Sequence, residues 1–182
     1  MNVFKDNKNI IGAKTVALVG VMAATLECGK LVLSFLPNVE VVTILCALYG
    51  YVFGWLGIAA ALVFVCVEPL IWGLGSWIVT YIIYWPLVAF VFMLLSKREI
   101  KSRWIITAVA VVLTIIFGIL SSVIDTAFYL GINEYYFKNL IIYYLRGAVF
   151  YIVQTVCNGA LFPTLFLFLA SKLSLVKSIT NI

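Results

Sequence analysis

Residues 143–170 read YYLRGAVFYIVQTVCNGALFPTLFLFLA. About 20 apolar residues suffice to carry an α-helix across the hydrocarbon core of a bilayer, and this run exceeds that length. Its polar positions are spaced: Arg146, Phe150, Gln154 and Asn158 recur at every fourth residue. On a helix they form one slightly drifting stripe that carries a charge, a ring and two amides. Polar groups at that depth are costly unless they face protein or water, so the stripe is expected to line a cavity.

Outward from this helix the chain keeps the same character. Of 182 residues 65% are hydrophobic and only 10% are charged, and the mean hydropathy is +1.20. That composition is an integral membrane protein's. At about 20 residues per span the length holds six helices in one all-α domain over the whole chain. They are expected at 12–36, 39–53, 57–72, 77–95, 104–124 and 141–171. No room remains for a soluble catalytic domain. The four cysteines, Cys28, Cys46, Cys66 and Cys157, lie singly in apolar segments, and there is no histidine. Neither a disulfide framework nor a metal site is indicated, and the usual general base is missing.

The first helix carries small residues on one face: Ala13, Ala17, Gly20 and Ala24. Such a face lets a second helix backbone approach closely, either inside this protein or on a partner. In the same helix Ala24-Thr-Leu-Glu-Cys-Gly29-Lys30-Leu31 has the outline of a phosphate-binding loop. Its first glycine is replaced by alanine and its Ser/Thr by leucine, so the chain is not expected to bind ATP. Glu27 and Lys30 are three residues apart and are expected to neutralise each other or to reach for the interface.

Pro37-Asn38-Val39-Glu40 forms the first turn. Asn38 is placed to cap helix two and Glu40 to sit in its first turn, where a carboxylate suits the dipole; contact with a ligand is the alternative for both. Glu68, followed by Pro69, is a carboxylate in an apolar helix and a functional candidate. Trp77, Tyr81 and Trp85 recur at intervals of four, with Tyr84 beside them. Trp77 suits an interfacial belt; Trp85 lies too deep for one, and flat rings along one face suit a planar or bulky ligand.

Lys97-Arg98-Glu99-Ile100-Lys101-Ser102-Arg103 sets four positive charges against one negative in a short loop, which should stay in the cytoplasm. Alternation then puts both termini inside. It also puts Trp72, Trp77, Tyr81, Asp125, Arg146 and Phe150 in the outer half, where their helices are expected to form an outward-facing pocket with Gln154 and Asn158. Arg146 either meets an anionic ligand group or pairs with Asp125 or Glu68.

The six-helix plan, the small-residue face of helix one, the Pro37-Asn38-Val39-Glu40 turn and the late-helix Asn158 together resemble the substrate-binding S components of energy-coupling factor vitamin importers. The resemblance covers almost the whole chain. It implies a multi-pass protein of the bacterial plasma membrane that binds a vitamin from outside and is not an enzyme. It further implies a transmembrane coupling subunit and two ATPase subunits as partners, with ATP hydrolysed there and no cofactor on this chain. Ala13, Ala17, Gly20 and Ala24 would be the partner surface, and no nucleic acid is involved. Likeness within the family favours cobalamin, with riboflavin, pantothenate, pyridoxine or a thiamin precursor as alternatives. Some relatives carry histidine where Gln154 stands, which loosens that specificity. A stand-alone secondary carrier is the other class considered. An intramembrane enzyme is disfavoured, because the acids are scattered and no Ser/His or Cys/His set exists.

Overall fold

The computed structural model describes residues 4–36 and 39–180. Every regular element among them is helical: α1 (Phe4–Leu33), α2 (Val42–Phe53), α3 (Trp55–Trp72), α4 (Trp77–Lys97), α5 (Arg103–Leu130), α6 (Tyr136–Leu161), a π turn (Phe162–Phe166) and α7 (Leu167–Thr180). Five helical segments are long and apolar enough to cross a membrane, the last being the continuous rod Tyr136–Ile179. The chain is a multi-pass membrane protein.

The short helix α2 sits at the centre. Its sequence VTILCALYGYVF is apolar all round, the mark of a helix that is buried on every side, and ten of its twelve residues are buried. Helices α3, α4 and α1 pack around it, with α6, the π turn and α7 completing the ring. The approach to α4 is close enough that a Cβ on Gly50 would lie 2.0 Å from the carbonyl oxygen of Ala89. Only glycine fits there. On the other seam, the Tyr151 ring of α6 occupies the space where side chains on Gly118 and Gly147 would be, and its hydroxyl lies 3.2 Å from Ser122 Oγ.

Contacts define two ends of the bundle. At one, Tyr51 Oη donates to the carbonyl of Ile100 at 2.9 Å and Lys177 Nζ donates to that of Val52 at 2.8 Å, beside the Lys97–Arg103 cations. At the other, Ser76 Oγ donates to Asp125 Oδ1 at 2.5 Å, Tyr136 Oη donates to the carbonyl of Val123 at 3.1 Å, and the described residues 34–36 and 39–41 lie between α1 and α2.

Several boundaries depart from the sequence expectation: α1 begins at Phe4 rather than 12, α2 at Val42 rather than 39 and α6 at Tyr136 rather than 141, and two further departures have a visible cause. Helix α5 runs on to Leu130 instead of stopping near 124, so Asp125 is helical and the connection to α6 shrinks to 131–135. The extension is favoured because Ser122 and Thr126 turn their hydroxyls back onto the carbonyls of Gly118 and Ser122, at 2.8 and 2.7 Å, hiding polar groups on the helix itself. Gly131, at φ 73°, ends it. The expected last helix, 141–171, becomes α6, π turn and α7. Pro163 lies in the π turn. A proline lacks an N–H and crowds the preceding turn, which a wider π turn relieves, and Thr164 Oγ1 donates to the carbonyl of Ala160 at 2.7 Å.

Candidate functional site

Glu40 is the hub of the site. It precedes α2 rather than lying in its first turn, and its carboxylate does the capping: Oε2 accepts the backbone N–H of Thr43 at 2.8 Å. Oε1 accepts three further donors, Thr43 Oγ1 at 2.5 Å, Gln154 Nε2 at 3.2 Å and Asn158 Nδ2 at 3.3 Å. Asn158 Nδ2 also donates to Thr114 Oγ1 at 3.0 Å, and Thr114 in turn donates to the carbonyl of Ala110. Helices α2, α5 and α6 are thus tied through one carboxylate placed at the positive end of α2. A carboxylate only accepts, so both amides must offer it their NH2 groups. Their oxygens, Gln154 Oε1 and Asn158 Oδ1, are left buried and without a partner.

Above this floor stands an aromatic wall. Trp77, Tyr81 and Trp85 follow one another along α4 at 5.1 and 5.4 Å between ring centroids, and Phe117 of α5 lies 6.0 Å from Trp85. Trp85 is buried, and its indole Nε1 has no hydrogen-bond partner.

Lys30 closes the third side. Its ammonium pairs with Glu68, which is fully buried, and lies over the rings of Trp72, Trp77 and Tyr81 at 5.1, 5.6 and 4.9 Å. Three ring faces and one carboxylate offset the loss of water around the cation. Glu27 does not neutralise Lys30; its carboxyl neighbours Glu68 instead.

These groups enclose a cavity of about 290 Å³, bordered by Ser34, Leu36 and Val39 of the α1–α2 connection. Glu40, Trp72, Tyr81, Trp85 and Gln154 line it, as expected from sequence, together with Lys30 and Phe117. Asn158 and Glu68 stand one contact behind, holding Glu40 and Lys30.

Three expected residues do not join. Arg146 and Phe150 are exposed, Phe150 at 47%. A step of four residues turns about 40° too far on a helix, so three such steps swing the stripe about 120° and only its lower half reaches the cavity. Asp125 is held by Ser76, with Ser121 Oγ at 3.5 Å, and neither it nor Glu68 pairs with Arg146. Asn38 lies outside the described residues. Conversely, Lys30, Thr43, Thr114 and Phe117 belong to the site and were not expected there from sequence. Thr114 carried a signal, a hydroxyl in an otherwise apolar helix; Lys30 carried a misleading one in its nearby acid.

The small-residue face of α1 is open. Ala13, Ala17, Gly20 and Ala24 are all exposed, and nothing lies within 4 Å of a Cβ built on Gly20. Met22, Ala23 and Leu26 bury α1 against the bundle instead. Among the described residues this face is not buried by the chain's own packing, although Gly20 and Ala24 border a cleft shared with Val63, Phe64 and Val67 of α3. No family model, curated protein or solved structure matches this chain. What the site can do follows from its own chemistry: flat rings to stack on, a carboxylate fixed in place, and a donor and an acceptor still unmet.

Proposed function

We propose that the chain is the solute-binding membrane subunit of an importer of the energy-coupling factor type, in a bacterial plasma membrane. The observation that carries this reading is the cavity of about 290 Å³, ringed by aromatics over a polar floor at the end of the bundle away from the Lys97–Arg103 cations. With those cations in the cytoplasm, six crossings and both termini inside, the cavity opens outward. The exposed face of Ala13, Ala17, Gly20 and Ala24 is the surface for a transmembrane coupling subunit, and two ATPase subunits behind it hydrolyse ATP. Cavity size selects among vitamins. Pockets for drug-sized ligands run from about 300 to 1,000 Å³, so this one, at about 290 Å³, suits a small flat solute such as pyridoxine or a thiamin precursor. Cobalamin, the substrate favoured by family likeness, would have to extend beyond this volume through the cavity's open side.

Co-expression of the tagged chain with a coupling subunit and its ATPase pair tests the proposal. The three partners are expected to copurify and to drive ATP-dependent uptake in proteoliposomes. Uptake that proceeds without ATP, from the chain alone, would identify a secondary carrier instead.

A further inference from the structure

We infer that the cavity is built for a flat, uncharged ligand that presents both a hydrogen-bond acceptor and a donor, as a lactam, a primary carboxamide or a pyrimidinone does. The inference rests on the cavity being the solute site, and adds the chemistry it selects. Two residues of its lining, Trp85 and Gln154, are each 3% exposed and each keep one buried polar atom without a partner, Nε1 and Oε1. Buried polar groups are ordinarily paired, and unpaired ones at a cavity mark where a ligand completes the set.

Their polarity is not free to change. An indole nitrogen only donates. The Gln154 amide is held by its NH2 on Glu40 Oε1 at 3.2 Å, and turning it over would set oxygen against carboxylate. The two orphaned atoms are therefore one donor and one acceptor, and a ligand that completes both must return an acceptor and a donor. Tyr81, Trp85 and Phe117 supply ring surfaces that reward a planar body. Charge is selected against. Lys30 is already paired with Glu68, and it already occupies the faces of Trp72 and Tyr81 that a ligand cation would use. Lys30 and Glu40 of the lining, counted with Glu68 behind it, carry a formal charge of −1, which disfavours an anion.

Three flat bicyclic probes test this with the purified full-length protein, read by calorimetry. Isoquinolin-1-one carries adjacent C=O and N–H groups, its N-methyl derivative lacks the donor, and 1-naphthoate is anionic. The first is expected to bind at least about tenfold more tightly than either other, roughly the worth of one buried hydrogen bond. Trp85→Phe, which keeps a ring, and Gln154→Met, which keeps the length, should each lower isoquinolin-1-one affinity by about tenfold. Gln154→Met should also erase the preference over the N-methyl derivative. Equal or tighter binding of the methylated or anionic probe, no saturable binding of the lactam, or a preference that survives Gln154→Met would overturn the inference. If Gln154→Met does not fold, Trp85→Phe decides alone. The importer reading fails separately: lactam selectivity in a protein that recruits no ATPase would sink that reading and leave this one standing.

Discussion

Lys30 shows how much a single side chain can depend on distant sequence. Its acid is Glu68, thirty-eight positions away, while Glu27 sits one turn before it and was the natural partner on paper. Removing one member of a buried pair is costly because the other charge is stranded. Lys30→Met is expected to lower unfolding stability in detergent by about 3 kcal/mol, and Lys30→Met with Glu68→Met to recover most of that loss, as measured by a double-mutant cycle. Additive losses would mean the two side chains do not act together. Arg146 is the opposite case. Exposed and apart from the cavity, it should tolerate Arg146→Ala with affinity for isoquinolin-1-one changed by less than about twofold. A larger loss would return it to the binding site. Glu40, Trp85, Gln154 and Asn158 were legible because each is out of place in an apolar helix or turn. Lys30 and Phe117 were not, because only the rotation of one helix against another brings them to the cavity, and periodicity does not encode that rotation.

Among the elements, α1 and α2 use small residues to opposite ends. Gly50 of α2 is spent inside the molecule, with the Ala89 carbonyl where its side chain would be, whereas Gly20 of α1 meets open space. Gly50→Leu is expected to cost about 3 kcal/mol or to prevent folding. Gly20→Leu should leave both melting temperature and probe affinity unchanged while abolishing ATP-driven uptake, because only the approach of a partner helix is obstructed. Loss of binding in Gly20→Leu would show that the face serves the chain's own packing. The order and type of the helices followed from hydrophobic runs and turn residues. Their ends did not: the return of Ser122 and Thr126 hydroxyls to the backbone prolonged α5, and Pro163 was absorbed by a π turn where a break is the usual outcome.

For the whole molecule, the distribution of cations predicts which end meets the cytoplasm. In a background lacking Cys28, Cys46, Cys66 and Cys157, Ser102→Cys should react with a membrane-impermeant maleimide only after cells are opened, and Ile132→Cys, exposed at 84%, in intact cells. The reverse pattern would turn the cavity toward the cytoplasm and end the importer proposal. The rod formed by α6, the π turn and α7 has a further consequence. Its 44 residues, at about 1.5 Å each, measure about 66 Å, roughly twice the thickness of a lipid hydrocarbon layer. A shaft of that length cannot stand wholly immersed. It leans, bends or projects, and bilayer thickness becomes part of the protein's energetics. Lys177 is hydrogen-bonded to α2 at the rod's far end, so lipids of differing chain length would shift the segment around Arg146 in depth and leave the Glu40 hub in place.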